Sequence, residues 1–276
     1  MQNTKKIQKK HGLGVLALTM LLSSGCTGAP KPEAPQASLE APGFLSHTEQ
    51  RIILLYPEKE AGSPQMTLNI TVSDVSGPLG DLIQELLYDG LSPQAYMEQL
   101  ITLYGDEYSA MKDPPVFLDG EEGDLFSETL NWEYTETLEA QSPRSDLMIL
   151  SRNREYYQGG AHGMREKRYF VIVQDAERVQ GLVLEDLIQA DAWSRLEALI
   201  AQALRTQANL KEDEPLSQGG FFEDEVAVPD NFFLTAEGLG FHWDPYEIAP
   251  YVMGSIEVLL PYEQIEDILK APRPLP

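Results

Sequence analysis

Residues 130–135 have the sequence LNWEYT, in which apolar and polar side chains alternate one by one. Residues 68–72, with the sequence LNITV, show the same alternation. A period of two places every second side chain on one face of a strand, so both segments predict half-buried antiparallel strands. Further strands are predicted after residue 135, at residues 146–152, 168–173, 232–235 and 255–260.

Helical spacing is clearest between residues 191 and 204. Leu196, Ile200 and Leu204 fall on one face of a segment that starts near Asp191, and Leu199 and Ala203 lie beside them. Because strands outnumber helices and do not alternate with them regularly, the predicted fold class is α+β, with an antiparallel sheet packed against a few helices.

A second helix is predicted to start at Ser92, which has the side chain of an N-cap and is followed by Pro93 in the first turn. Shorter helices are predicted at residues 80–88 and 262–269. The helix after Ser92 is predicted to bury four side chains, those of Tyr96, Leu100, Leu103 and Tyr104.

The first 25 residues have the layout of a secretory signal peptide. Four lysines (Lys5, Lys6, Lys9 and Lys10) precede an apolar run at residues 13–22. This run is about half as long as a membrane-spanning helix, which favours cleavage over permanent anchoring. It ends in LSSGC at residues 22–26, which resembles the lipobox of bacterial lipoproteins.

Cys26 is the chain's only cysteine and the predicted lipidation site. A lone thiol in an exported chain would be exposed to oxidation, and this favours its use for acylation. The alternative is an incidental cysteine beside an ordinary cleavage site. Two acyl chains would hold the protein stably on a membrane, where one gives only marginal binding.

The sequence predicts five segments. They are a lipoprotein signal peptide (1–25), the lipidated cysteine with a Pro/Ala-rich tether (26–62), an N-terminal part of the α+β unit (63–165), a C-terminal part (166–270) and a tail (271–276). The tether is clearest at residues 27–38, where Pro and Ala are frequent and apolar periodicity is missing.

The chain is strongly acidic. It has 44 acidic and 20 basic residues, and loss of the four signal-peptide lysines would lower its formal net charge from −24 to −28. Such a surface repels nucleic acid and attracts cationic partners. A cationic protein is therefore a predicted partner. The other predicted partner is a membrane, which the N-terminal lipid would contact. The alternative is that acidity only keeps an exported protein soluble.

The sequence YYQGGAHG at residues 156–163 packs three glycines and a histidine into one short segment. Glycines at this spacing indicate positive φ angles or a close backbone approach. The segment is a candidate ligand-contact loop, with contact residues Tyr157, Gly159, Gly160, His162 and Gly163. The alternative is a strained turn that joins two strands and is pinned by a hydrogen bond of His162.

No catalytic residue, metal ligand or cofactor is predicted. His47 and His242 lack ligand spacing to His162, and the HExxH, CxxC and GxSxG patterns do not occur. The acidic residues are too numerous for a catalytic pair to be recognised. Residues 119–124 and 223–225 are acidic and are interpreted as solvated loops rather than as calcium sites.

Eight aromatic residues gather between residues 221 and 251, and most of them are predicted to lie in the core. Any that are exposed would form a hydrophobic recognition patch beside acidic residues. The eight are Phe221, Phe222, Phe232, Phe233, Phe241, Trp243, Tyr246 and Tyr251.

Four motifs, in the same order and spacing, resemble the RsiV C-terminal-like family of exported bacterial domains over roughly residues 65–270. They are YQGGAHG (157–163), GLVLEDL (181–187), NFFLT (231–235) continuing to Phe241, and PYEIAPY (245–251) followed by Gly254 and Pro261-Tyr262. The last motif is the most specific, and its residues are Pro245, Tyr246, Glu247, Pro250 and Tyr251.

The resemblance implies an α+β fold and a binding role more than an enzymatic one. In RsiV-type anti-sigma factors such a domain binds lysozyme outside the cell, while a cytoplasmic segment holds a sigma factor. Similar domains precede the catalytic domain of some peptidoglycan deacetylases. Residues 1–10 are too short to hold a sigma factor, so no sigma-factor partner is predicted.

The predicted function is that of a lipid-anchored, extracytoplasmic binding protein of the cell envelope, at the outer membrane or cell surface. Its partner would be lysozyme or a cell-wall component. One alternative is a wall-modifying enzyme that uses His162 and nearby carboxylates. Another is a structural envelope lipoprotein that binds no ligand.

Overall fold

The computed structural model describes residues 64–110, 130–174 and 178–270, and the backbone of residues 47–55. The predicted signal peptide, Cys26, the Pro/Ala-rich segment 27–38, the acidic segment 119–124 and the tail 271–276 lie outside the described residues. Within the described ranges, no helix is both long and apolar enough to cross a bilayer.

A six-stranded sheet forms the centre of the molecule, and its strands lie side by side in chain order. All neighbours are antiparallel except β2 and β3, which are parallel because two helices connect them. The strands are β1 (His47–Leu55), β2 (Gln65–Ser73), β3 (Trp132–Arg144), β4 (Leu147–Tyr157), β5 (Met164–Gln174) and β6 (Val179–Leu182). The predicted α+β class is confirmed.

Two helices, α1 (Pro78–Tyr88) and α2 (Pro93–Ala110), pack on one face of this sheet. The hydroxyl oxygen of Ser92 accepts a 3.2 Å hydrogen bond from the amide of Ala95, which confirms the predicted N-cap. The predicted burial of Leu103 is wrong, because its side chain is 50% exposed. Leu103 lies at the edge of the buried face of the helix, whose middle is formed by Met97, Leu100 and Tyr108.

The other face is covered by a small antiparallel sheet and a helix. The elements are α3 (Leu184–Leu187), α4 (Trp193–Gln207), β7 (Phe232–Leu234), β8 (Gly238–Trp243), β9 (Ile256–Pro261) and α5 (Tyr262–Ile265). The core side chains predicted for α4, Leu196, Ile200 and Leu204, are fully buried. The helix predicted at residues 262–269 ends at Ile265, because the backbone of residues 268–270 bonds to residues 187–189 instead.

The central sheet is apolar on both faces where β4 and β5 pair with each other. Met148, Leu150 and Ile172 contact the layer of α1 and α2, whereas Leu147, Ile149 and Val171 contact the opposite layer. The position predicted to separate the two parts of the α+β unit, between residues 165 and 166, lies within β5. The two parts therefore share one sheet.

Candidate functional site

The glycine-rich segment forms the loop between β4 and β5. Gly159 and Gly160 have φ angles of 90° and 92°, a region that side-chain-bearing residues rarely adopt. The Tyr157 hydroxyl donates a 2.9 Å hydrogen bond to the Gly160 carbonyl and closes the loop. A Cβ on Gly163 would lie 2.9 Å from the carbonyl oxygen of Tyr156, so a side chain does not fit there. These glycines fix a definite loop shape.

The PYEIAPY motif forms a second irregular segment, directly after β8. Tyr246 has a φ of 74°, which is strained for a residue with a side chain. Hydrogen bonds hold this conformation on both sides: the Tyr246 amide donates to the Ala249 carbonyl at 3.1 Å, and the Glu247 amide donates to the Asp244 carbonyl at 3.1 Å. The ring of Tyr246 is consequently half exposed at the tip of the turn.

The fold brings these two segments together. His162 Nε2 lies 3.2 Å from the Tyr246 hydroxyl, although 84 positions separate the two residues. The His162 ring also stacks on Tyr251, with 3.7 Å between ring centroids and 15° between planes. Tyr246 and Tyr251 are 5.7 Å apart by ring centroids. His162 thus pins the loop by a hydrogen bond while its own side chain stays exposed.

The protonation geometry of His162 follows from its partners. Nδ1 lies 3.0 Å from the Gly163 carbonyl, which can only accept, so Nδ1 carries a proton. In the neutral ring, Nε2 is then the acceptor for the Tyr246 hydroxyl. Both ring nitrogens are therefore engaged by a carbonyl and a phenol.

Exposed apolar side chains extend this cluster. Val252 is 90% exposed and follows Tyr251 in a 3₁₀ turn, and Met253 is next to it. Phe222 is 50% exposed, and its amide donates to the carbonyl of Ile248 at 2.9 Å. We call His162, Tyr246 and Tyr251, with Phe222, Val252 and Met253 at their margin, the tyrosine–histidine surface.

Acidic residues border the tyrosine–histidine surface. Glu247 is exposed within the motif turn, and Glu223, Asp224 and Glu225 are exposed directly after Phe222. The Ser217 amide bonds to Asp224 and is the main reason why the pKa of Asp224 is lowered, so it is ionised at neutral pH. Of the eight aromatic residues predicted to be mostly core, Phe222 and Tyr246 are the two most exposed. An apolar centre with a charged rim has the composition of a protein recognition site.

The position of the motif turn depends on contacts with β5. β6 pairs with β5 only at residues 171–174, so the backbone of Lys167 and Tyr169 is capped by side chains instead. Asp244 Oδ1 accepts from the Lys167 amide at 2.8 Å, and Asn231 Oδ1 accepts from the Tyr169 amide at 2.9 Å. Asn231 Nδ2 donates to the Lys167 carbonyl. These bonds attach the small sheet to the strand that follows the glycine loop.

A buried histidine lies beneath the motif turn. His242 is 2% exposed, and its ring nitrogens lie 2.9 Å from Asp244 Oδ1 and 2.8 Å from Glu257 Oε1. The Tyr169 hydroxyl donates to the same Glu257 oxygen. From the sequence, His242 is distinguished only by its spacing to His162, and Asp244 and Glu257 are not identified as its partners. The spacing of His242 and Asp244, two positions apart, was a local signal that their side chains could meet. Nothing in the sequence linked them to Glu257.

Glu136 on β3 and Arg154 on β4 form a buried ion pair near the glycine loop. Glu136 has no exposed surface and accepts hydrogen bonds at 2.8 Å from the Tyr134 hydroxyl and from Arg154 Nε. Tyr96 on α2 donates to the same carboxylate at 2.8 Å. Burial is the largest cause of the raised pKa of Tyr96, so this hydroxyl stays protonated. A buried carboxylate with all these partners stabilises the fold and cannot contact a ligand.

Across the described ranges, no group of three or more His, Cys, Asp or Glu side chains is arranged to hold a metal ion.

Comparisons with known proteins agree with this architecture. No curated protein matches the sequence. A DUF3298 family member from Bacteroides fragilis shares the fold with a TM-score of 0.64 and 22% identity, over 82% of this chain and 94% of its own. A DUF3298 family protein from Pseudomonas aeruginosa gives a TM-score of 0.52 and 17% identity, over 82% and 95% of the two chains. Residues 185–263, which include α4, the small sheet and the PYEIAPY motif, match the model of DUF3298, a protein family of unknown function.

Proposed function

We propose that this chain is a lipid-anchored binding protein of the bacterial cell envelope and that it holds a cationic protein, such as lysozyme, on the tyrosine–histidine surface. The observation that carries the proposal is the convergence of two motifs on one exposed aromatic cluster, which is held by strained backbone at Tyr246. Strain that the surrounding structure maintains is concentrated at functional positions in proteins.

The chemistry of the surface supports this partner. Tyrosine supplies a large contact area at a low cost in side-chain entropy, and exposed aromatic rings with an apolar margin are typical of interaction hot spots. The acidic border and the formal net charge of −24 would accelerate encounter with a basic protein. The resemblance to RsiV-type domains points to lysozyme as the first probe. Anchoring would depend on Cys26.

The geometry does not favour the wall-modifying enzyme. A histidine general base faces the reacting group with one nitrogen and is usually oriented by a carboxylate on the other. The ring nitrogens of His162 are taken by the Gly163 carbonyl and the Tyr246 hydroxyl. His242 has two carboxylate partners, but at 2% exposure it is closed to substrate. We therefore advance no second function.

Calorimetry with hen-type lysozyme tests the proposal. The full chain with Cys26→Ser, which carries no lipid, is titrated at low and at physiological salt, because low salt alone strengthens any acid–base encounter. We expect saturable binding that persists at physiological salt. We expect Tyr251→Ala to weaken it at least about tenfold, equivalent to about 1.4 kcal/mol.

Two controls make the result specific. Leu103→Ala removes an exposed apolar side chain from α2, outside the tyrosine–histidine surface, and is expected to leave the affinity unchanged. A cationic protein unrelated to lysozyme is expected to give heat only at low salt. Binding of both cationic proteins alike, or no lysozyme binding at physiological salt, would contradict the proposed partner. Labelling cells with a palmitate analogue tests the anchor, and Cys26→Ser is expected to abolish incorporation.

A further inference from the structure

His242 occupies a site that is suited to the doubly protonated form of its ring. Its two ring nitrogens each lie within 2.9 Å of a carboxylate oxygen, one on Asp244 and one on Glu257. A carboxylate can only accept, whereas a neutral imidazole has a single N–H to donate. Neutral His242 would leave a nitrogen lone pair facing a carboxylate oxygen. One of the two contacts must then break or rearrange.

One of these carboxylates also controls the position of the motif turn. Asp244 Oδ1 receives the amide of Lys167 at 2.8 Å, and Lys167 belongs to the strand that leads out of the glycine loop. The Asp244 amide donates to Glu247 Oε2 at 2.7 Å, which closes the turn around Tyr246. Asp244 therefore joins His242, β5 and the turn that carries Tyr246.

The charges around His242 are mostly negative. The groups that face it or its partners are Asp244 at the end of β8, Glu247 in the turn, Glu257 on β9, Lys167 and Tyr169 on β5, the Arg168–Asp230 pair beside Asn231, and Glu139 on β3 near Tyr169. The Lys167 ammonium lies 4.7 Å from the centre of the Tyr169 ring, and its charge helps to lower the pKa of Glu257. Loss of the His242 proton would leave Asp244 and Glu257 facing each other across a neutral ring.

We propose that His242 is a positioning residue for the tyrosine–histidine surface: its doubly protonated ring holds Asp244, and through Asp244 the turn that carries Tyr246, in the geometry that stacks against the glycine loop. Deprotonation loosens this turn. Partner binding is therefore stronger at mildly acidic than at alkaline pH. This last consequence rests on the proposed function, whereas the coupling between His242 and Tyr246 does not.

The expected pH range follows from the surroundings. Burial alone lowers the pKa of His242, but its hydrogen bonds to Asp244 and Glu257 raise the pKa above the ordinary value of 6.5. The same contact with His242 lowers the pKa of Glu257 below its ordinary 4.5. His242 and Glu257 are consequently both charged between pH 4.5 and pH 6.5. His242 loses its proton on the alkaline side of pH 6.5.

The partner-free test is an NMR titration of the full chain with Cys26→Ser, labelled at histidine and tyrosine rings. We expect the Tyr246 ring signals to shift with the midpoint of His242. His162 also contacts Tyr246, so the titration is repeated with His162→Gln, in which the Tyr246 shift is expected to persist. Adding His242→Gln to His162→Gln is expected to abolish the Tyr246 shift. Tyr246 signals that follow only His162, or that do not change while His242 titrates, would overturn the proposal.

Glu257→Gln provides a variant that keeps His242 in place. Because Glu257 raises the pKa of His242, its neutralisation is expected to lower the midpoint of both His242 and Tyr246. Asp267→Asn is the matched control, since Asp267 pairs with Arg195 at 3.1 Å and takes no part in this cluster. An unchanged midpoint in Glu257→Gln, or an equal shift in Asp267→Asn, would contradict the mechanism.

The second test is calorimetry with lysozyme at mildly acidic and at alkaline pH. Because lysozyme itself titrates, the pH profile of wild type is compared with that of Glu257→Gln. We expect the affinity of the variant to fall at lower pH than that of wild type. If lysozyme binds at no pH, the proposed function fails and the NMR titration alone decides the role of His242. Binding with the same pH profile in both proteins would overturn the link between His242 and the surface.

Discussion

The imidazole ring of His162 stacks on the phenol ring of Tyr251 at a centroid distance of 3.7 Å and an interplanar angle of 15°. His162 belongs to the β4–β5 loop, whereas Tyr251 belongs to the 3₁₀ turn between β8 and β9. The contact therefore joins the central sheet to the small sheet at the molecular surface. A stack of this kind fixes the loop and leaves the His162 ring at the surface.

We predict a measurable coupling between these two rings. His162→Ala, Tyr251→Ala and the double variant form a cycle in the free energy of unfolding, measured by urea denaturation. An aromatic pair contributes about 0.5–1.5 kcal/mol beyond the area it buries, so the double variant is expected to lose less stability than the sum of the single variants by that amount. The pair His162→Ala and Leu103→Ala is expected to be additive. Additivity of the stacked pair would show that the rings are adjacent without interacting.

The buried carboxylate of Glu136 is predicted to be important for stability. Glu136→Gln keeps the shape of the side chain but removes the fully buried carboxylate from Arg154, which then keeps only its longer 3.8 Å contact with Glu166. Breaking a buried pair in this way costs about 3–5 kcal/mol in the free energy of unfolding.

Two comparisons in urea denaturation separate this effect from surface effects. Glu133 lies on the same strand as Glu136 but is exposed. Glu133→Gln is therefore expected to change the free energy of unfolding by less than about 0.5 kcal/mol. Glu136→Gln combined with Arg154→Met removes both charges and is expected to be less destabilised than Glu136→Gln alone. A harmless Glu136→Gln would mean that the charge of this carboxylate does not matter.

Asn231 is predicted to attach the small sheet to β5. Its amide replaces a neighbouring strand by accepting from Tyr169 and donating to Lys167. Asn231→Leu is expected to leave two backbone groups unpaired and to cost about 2–5 kcal/mol. Asn131→Leu is the matched control, because Asn131 also bonds to a backbone amide, that of Gln65, but at an exposed position where water can replace it. Equal thermal stability of the two variants would contradict this role.

Local periodicity explains which elements could be predicted. β2, β3 and α4 each cover one face of the core and leave the other face to solvent or to polar neighbours, so their sequences alternate at the period of their secondary structure. β8 was not predicted because both of its faces are covered, and all six of its residues are buried. β1 was also missed, in a segment assigned to the tether by composition. Pairing with β2 over its whole length defines it as a strand.

The candidate site was predictable in its parts and not in its assembly. The glycine spacing at 159–163 indicated an unusual backbone, and the positive φ angles of Gly159 and Gly160 confirm this. The PYEIAPY motif was recognised by resemblance. That His162 meets Tyr246 and Tyr251 depends on how the small sheet docks on β5, which local sequence does not encode. The same long-range docking brings Glu257 to His242.

The contribution of the His242–Glu257 pair to stability is predicted to have a maximum in mildly acidic solution. The folded-state pKa of His242 is raised, so its contribution is complete below its unfolded value of 6.5 and is lost as pH rises through the folded pKa. The folded-state pKa of Glu257 is lowered, so its contribution is present above 4.5 and is lost as pH falls through the folded pKa. The pair therefore stabilises the fold most between pH 4.5 and 6.5.

Urea denaturation of wild type and His242→Gln across this range measures the effect, because the difference between the two proteins cancels groups that are independent of the pair. We expect the advantage of wild type to be largest near about pH 5.5 and to shrink both toward about pH 3 and toward about pH 8.5. His162→Gln serves as the control, because the His162 ring lies at the surface and its hydrogen-bond partners are a carbonyl and a phenol rather than carboxylates. A wild-type advantage that grows between pH 6.5 and alkaline solution would mean that His242 is neutral in the folded protein, and one of the two carboxyl groups would then have to be protonated to keep both contacts with its ring.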